Sequence, residues 1–311
     1  MKNLYIIIPV LNEAAHLKEH IQTIWKNAQF STVNTILFLI NDGSTDQTES
    51  VLKQLNAENP NIRHMQFLRN FGKEAAILAG LKIAHEDLQM AACVVMDSDL
   101  QHPPSLLPQM FEQWQNGALL IEAHKKQRPA ESFFYRQSAK LFYGLFNQLT
   151  GTQHFEKQTD FKWMDKSVVE KYLTFPEHRK FFRGIMAWMN IPSVSLPFDV
   201  PHRQNESSRW RFHALIRYAL VNLQSFSNAP LQLVSACGVM AFLVGFFFAA
   251  FALFQKLNGI AVEGFTTVIV LLSFFASIIM FALGVIGFYL SAIYDELKKR
   301  PPYIWADHNK G

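Results

Sequence analysis

The chain has 311 residues, half of them apolar, and a formal net charge of +4. That length allows one to three structural units, and so small a charge gives no reason to expect a nucleic-acid partner. The two cysteines, Cys93 and Cys237, sit among apolar neighbours. They read as packing residues of a reducing compartment, not as a disulfide or a metal site. The run Leu4–Val10 is too short for the apolar core of a cleavable signal and is broken at Pro9, so none is expected.

In chain order, Leu4–Val10 is a continuous apolar run, as expected of a strand buried on both faces. Asn12 and Glu13 follow at the turn, and Ala14, Leu17, Ile21, Ile24 and Trp25 then recur at helical spacing. Thr35–Ile40 reads as a second strand, ending in Asn41-Asp42-Gly43-Ser44-Thr45-Asp46. Ser44 with Gln47 three residues on predicts a capping box opening a second helix. Met65–Leu68 is a weaker third strand, leading through Arg69-Asn70-Phe71-Gly72-Lys73-Glu74 into a helix that runs to Ala84. Ala91–Met96 is the fourth. Alternating strands and helices predict an α/β fold with a mostly parallel, Rossmann-like sheet. Each strand then delivers polar residues to the carboxyl edge, where open α/β sheets bind ligands. There is no Gly-x-Gly-x-x-Gly and no Walker lysine loop, so neither dinucleotide nor P-loop chemistry is indicated.

The fourth strand ends in Asp97-Ser98-Asp99-Leu100-Gln101-His102-Pro103-Pro104. Residues i and i+2 of a strand point the same way, so Asp97 and Asp99 can face one spot. Adjacent carboxylates suit a hard divalent ion, and Mg²⁺ or Mn²⁺ leaves coordination positions for phosphate oxygens. The plainer alternative is a surface loop carrying two solvated acids.

Leu106–Trp114 predicts a helix and Leu119–Ile121 a short strand, followed by the basic run His124-Lys125-Lys126-Gln127-Arg128. Phe133, Phe134, Leu141, Phe142, Leu145, Phe146 and Leu149 form a helical apolar stripe with Arg136 and Lys140 beside it. It is either a core helix with a solvated edge or a membrane-side helix offering cations to an anionic lipid head. Thr159–Met164 places Asp160 inside an aromatic stretch, and Arg179 and Arg183 flank Phe181-Phe182. From Trp210 to Phe226 an apolar face runs beside Arg209, Arg211, His213 and Arg217. That pattern reads as interfacial, with docking on the globular domain as the alternative.

Two apolar blocks follow, about Leu231–Phe254 and Phe265–Leu290, neither containing Asp, Glu, Lys or Arg. Each exceeds the roughly 20 residues that cross a bilayer. Both are expected to span, giving a multi-pass membrane protein. Arg209, Arg211 and Arg217 before the first block and Lys298-Lys299-Arg300 after the second place both ends, and the globular domain, in the cytoplasm. Ser273 and Ser277 form a small-xxx-small pair able to seat a partner helix, as in a homo-oligomer. The expected organisation is a catalytic domain over 1–205, an amphipathic helix over 206–229, a transmembrane hairpin over 230–294 and a basic tail over 295–311.

The strings Ile8-Pro9-Val10-Leu11-Asn12-Glu13, Asn41–Asp46, Arg69–Glu74 and Asp97–Pro104 together resemble the family-2, GT-A-fold glycosyltransferases. More narrowly the chain resembles the polyprenyl-phosphate enzymes: dolichyl-phosphate mannose synthases and the bacterial transferases that charge undecaprenyl phosphate with glucose or aminoarabinose. The resemblance covers essentially the whole chain. It implies inverting transfer from a UDP- or GDP-linked sugar to a polyprenyl phosphate, for cell-envelope glycan or lipid modification. It also implies that Pro9 and Glu13 contact the nucleoside and Asp42 the base, and that Asp97, Asp99 and Gln101 hold Mg²⁺ or Mn²⁺ and through it the diphosphate; Asn12 and Lys73, on the same carboxyl edge, complete the expected nucleotide-binding set. Asp99 and Asp160 would serve catalysis, and Lys125, Arg136, Arg203 and Arg209 the acceptor phosphate. The family's Gly-Asp-Phe-Arg is Thr159-Asp160-Phe161-Lys162 here, and its Gly-x-Arg-Arg is Ala123-His124-Lys125-Lys126. Three other readings compete. Glu206-Ser207-Ser208-Arg209-Trp210 echoes the Gln-x-x-Arg-Trp of processive polysaccharide synthases, although two spans are few for a channel. A non-catalytic sugar-nucleotide sensor and a nucleotidyltransferase releasing pyrophosphate are the others.

Overall fold

The computed structural model describes residues 1–126, 158–177, 180–199, 229–258 and 264–306. Strand β1 (Lys2–Val10) alternates faces: Leu4, Ile6, Ile8 and Val10 enter one apolar cluster, Tyr5 and Ile7 the other. A strand with no solvent face must be apolar on both sides. In chain order come α1 (Leu17–Asn27), β2 (Val33–Asn41), α2 (Thr48–Glu58), β3 (Ile62–Gln66), α3 (Lys73–Glu86) and β4 (Met90–Val95). A 3₁₀ turn (Pro104–Leu106), α4 (Leu107–Gln115), β5 (Leu120–Lys125), β6 (Gln158–Asp165), α5 (Lys166–Thr174), α6 (Phe182–Met189) and β7 (Ser193–Phe198) complete the α/β unit.

The sheet order is β3-β2-β1-β4-β6-β5-β7. β1 pairs parallel with β2 and β4, and β2 with β3. β6 is inserted antiparallel between β4 and β5. β5 therefore runs in the same direction as β4, and all of these strands share one functional edge. On one face α1, α2 and α4 pack through Leu17, Ile21, Leu52, Leu107 and Met110. On the other lie Ala76, Ala79, Val168, Tyr172, Phe182 and Ile185 of α3, α5 and α6. This is the mostly parallel GT-A-like architecture expected from the sequence.

Two local expectations are corrected. The predicted capping box is not formed: Gln47 is the N-cap of α2 and makes no side-chain cap bond. The Ser44 hydroxyl accepts instead from the Asn12 amide (3.0 Å), and Asp46 takes the Thr48 amide (3.0 Å). Ser44 is diverted because the neighbouring loop needs an acceptor. The third strand lies earlier than Met65–Leu68, and Phe67 and Leu68 continue past it into pairing with the segment 304–306. Leu68 N donates to Ile304 O (2.8 Å), Ala306 N donates to Gln66 O (2.8 Å), and Phe67 and Trp305 form an antiparallel bridge.

The second unit consists of two long apolar helices, α7 (Ala229–Leu257) and α8 (Phe265–Leu297). Among the described residues, one apolar window, Phe274–Ser291, is long enough to cross a membrane, and α7 contributes a shorter one, Val234–Phe248. Of the two spans expected, one, in α8, is long and apolar enough by this measure, and the second is not shown. The apolar stripe of 133–149 and positions 206–228 of the expected amphipathic helix lie outside the described residues.

Candidate active site

Four loops meet at the carboxyl edge of β1, β2, β3 and β4. Pro9 is half-buried near the end of β1. Asn12 follows with φ 53°, and its Oδ1 accepts from the Thr45 amide (2.9 Å). The Glu13 amide donates to Thr48 Oγ1 (3.0 Å). The first and second loops are therefore laced together. Asp42, expected to contact the base, is buried, and its carboxylate accepts from the amides of Phe71 (2.7 Å) and Gly72 (2.9 Å). Burial raises its pKa, and those two amides work against the rise. Through these bonds it pins the third loop against the second. The approach is so close that a Cβ on Gly43 (φ +68°) would lie 2.3 Å from the Arg69 carbonyl carbon.

Lys73, the first residue of α3, bridges two acids: its Nζ lies 2.5 Å from Asp97 Oδ1 and 2.6 Å from Asp160 Oδ2. The antiparallel register that pairs Val95 with Lys162, continued two residues, sets Asp160 opposite Asp97. Like charges directly opposite destabilise a strand pair, and the ammonium removes that repulsion. Arg183 of α6 also grips Asp160, donating Nε to Oδ1 (2.5 Å) and Nη2 to Oδ2 (2.8 Å), the oxygen that Lys73 also binds. Burial of Asp160 opposes its ionisation, but Arg183 and Lys73 outweigh burial and hold the carboxyl well below the usual range. Burial likewise opposes the charge on Lys73, and Asp97 and Asp160 outweigh it, so its pKa is raised.

Glu74, next along α3, accepts from the Phe182 amide (2.8 Å) at the start of α6. Burial pushes its pKa up to about 7, with the Phe182 amide acting in the opposite sense. Beneath this cluster the buried Lys162 pairs with Glu122, whose other oxygen accepts from Ser193 Oγ (3.0 Å).

After β4 the chain turns sharply, with Leu100 at φ 59°. Asp99 Oδ1 accepts from the Gln101 amide (3.0 Å), and the Asp97 amide donates to Nδ1 of the buried His102 (3.0 Å). Accepting at Nδ1 requires the neutral ring, and burial, which lowers the His102 pKa, favours that form. The ring stacks on Phe161 of β6 (5.2 Å between centroids, 18°). His102 thereby fixes the backbone that carries Asp97 and Asp99.

Among the described residues no group of three or more His, Cys, Asp or Glu forms a metal cluster. Asp97 and Asp99 are both partly exposed at the strand end. Two hard carboxylates with room for outside oxygens fit Mg²⁺ or Mn²⁺, which share their coordination with phosphates, and do not fit an all-protein cage. Gln101 is adjacent and half-buried. Lys125 ends β5 on the same edge. Arg136, Arg203 and Arg209 lie outside the described residues. Arg183, Glu74 and His102 had no assigned role in the sequence reading. His102 stands inside the Asp97–Pro104 string, so its place there was the available signal. Arg183 offered only its position beside two phenylalanines.

The glycosyl transferase family 2 model matches residues 5–173. A prophage bactoprenol glucosyl transferase homolog of Escherichia coli K12 is 32% identical over 300 residues, covering 96% of this chain and 97% of that protein. The bactoprenol glucosyl transferase of Shigella phage SfII is 31% identical over 307 residues, covering 98% of each. Among solved structures, glucosyl-3-phosphoglycerate synthase from Mycobacterium tuberculosis, crystallised with Mn²⁺, UDP and glucosyl-3-phosphoglycerate, superposes with a TM-score of 0.52 at 18% identity. That match covers 73% of this chain and 80% of the synthase, and it shows the shared fold. The chain belongs to glycosyltransferase family 2 and is a glycosyltransferase of GT-A-like fold.

Proposed function

We propose that this enzyme transfers a sugar from a nucleotide sugar to a polyprenyl phosphate, with inversion at the anomeric carbon. The observation that carries the reading is the junction of Asp97, Lys73, Asp160 and Arg183 at the end of β4, beside a second acid, Asp99, two residues on. The full-length similarity to bactoprenol glucosyl transferases supports the acceptor class. The fold shared with a UDP- and Mn²⁺-bound synthase supports a nucleotide-sugar donor.

In this reading Pro9, Asn12, Glu13 and the turn held by Asp42 form the nucleoside side. Asp97 and Asp99, with Gln101 beside them, would hold Mg²⁺ or Mn²⁺, which when bound offsets charge building on the departing nucleoside diphosphate. Lys73 is 39% exposed, so its ammonium can reach a diphosphate oxygen while remaining anchored to Asp160. Asp160 is a weak base, because Arg183 and Lys73 hold it ionised. A phosphate monoester with a second pKa of about 6 is mostly dianionic at neutral pH and needs little deprotonation. Asp160 therefore positions Lys73 and Arg183.

The attacking phosphate must approach a second anion. Lys125, together with Arg136, Arg203 and Arg209, would cancel that repulsion, since guanidinium groups grip phosphate in a bidentate way. The apolar helices α7 and α8 would cross the inner membrane as a hairpin and keep the catalytic unit cytoplasmic. The basic run Lys298–Arg300 after α8 supports that orientation. Purified protein incubated with undecaprenyl phosphate and a panel of UDP- and GDP-sugars should form one lipid-linked sugar and release the matching nucleoside diphosphate. Pyrophosphate release, or polymer growth, would overturn the reading.

A further inference from the structure

We propose that Tyr303 and Trp305, beyond the last apolar helix, are positioning residues of the donor-nucleotide site. β3 is the edge of the sheet and only five residues long. An edge strand leaves backbone donors and acceptors unpaired. Here the segment after α8 supplies the partner, through the two backbone hydrogen bonds from Leu68 N to Ile304 O and from Ala306 N to Gln66 O.

The side chains carry the contact further. Tyr303 stacks on Phe67 (5.1 Å, 13°), and Trp305 lies 5.0 Å from the same ring. Phe67 is fully buried as a result, although it stands at the end of an edge strand. Phe67 meets Phe71 edge to face (5.7 Å), and the Arg69 guanidinium lies over the Phe71 ring (4.3 Å). The Phe71 and Gly72 amides are those held by Asp42, and Lys73 begins α3 directly after them. A packed path thus runs from Trp305 through Phe67 and Phe71 to the turn that launches the bridging lysine. Asp42 holds that turn directly, and Tyr303 and Trp305 brace it through Phe67.

The kinetic arm of the test rests on the proposed reaction, and the exchange arm does not. Full-length Trp305→Ala, Tyr303→Ala and Trp305→Phe are purified in detergent beside the wild type. Hydrogen exchange is followed at the amides of 67–72, and KM and kcat are measured for the accepted nucleotide sugar. The alanine variants should lose protection at Phe71 and Gly72 and raise donor KM about tenfold, with kcat and acceptor KM within about twofold. Trp305→Phe should recover most of both effects. Unchanged exchange at 67–72 would overturn the proposal whatever the reaction proves to be. A uniform fall in kcat with donor KM unchanged would overturn it also, because that is the mark of general damage.

Discussion

Lys73 is the residue on which the charge balance of the site turns. Replacing it with methionine leaves Asp97 and Asp160 facing each other, with Arg183 still bound to Asp160. Breaking a fully buried pair costs about 3–5 kcal/mol, and partial exposure of the Lys73 side chain reduces the expected loss to about 1–3 kcal/mol, read as a lowered melting temperature of Lys73→Met. Asp160 and Glu74 give opposite pH responses. The Asp160 pKa is depressed on folding, so its contribution is present above the unfolded value near 3.9 and is lost as pH falls towards the folded one. The Glu74 pKa is raised to about 7, so the folded state binds the extra proton. Its contribution is full below about 4.5 and is lost as pH rises through 7. Glu74→Gln keeps an acceptor for the Phe182 amide and removes the charge. It should flatten the fall in melting temperature between about pH 5 and 8; an unchanged slope would assign that fall to other groups.

At the scale of elements, the loops after β1, β2 and β3 work as one interlocked body. Gly43 is the tightest point, and Gly43→Ala combines a left-handed backbone with a clash against Arg69. The expected loss is about 1–3 kcal/mol or more, together with weakened binding of the donor nucleotide, UDP or GDP, measured by calorimetry. Much of this edge was legible in the chain. Asp97, Asp99 and His102 stand in one short string, and an apolar run ending in i, i+2 acids is visible without a partner. The junction with Asp160 was not. It depends on β6 returning antiparallel between β4 and β5, and strand alternation names a buried face without naming the neighbour. Arg183 was invisible for the same reason, since its carboxylate lies 23 residues away in sequence. The docking of Tyr303 and Trp305 was missed because a short stretch of mixed character carries no period. Ser44 misled because a hydroxyl at a helix start has several equally good donors to serve.

The whole molecule joins an α/β unit to an apolar helical pair, and the proposed reaction needs both. Its acceptor carries a water-seeking phosphate on a bilayer-embedded tail, so the enzyme should remain in the membrane fraction after an alkaline wash that strips peripheral proteins. Asp99→Ala should fold and remain membrane-bound while losing activity on the order of a thousandfold, since it removes a carboxylate proposed to hold the divalent ion and not a core contact. The most direct measurement is the amount of nucleoside diphosphate released per lipid-linked sugar formed, with and without undecaprenyl phosphate, for the wild type and Asp99→Ala. The account predicts one-to-one release that requires the lipid phosphate and vanishes in Asp99→Ala. Release that is indifferent to the lipid, or wild-type turnover by Asp99→Ala, would contradict it.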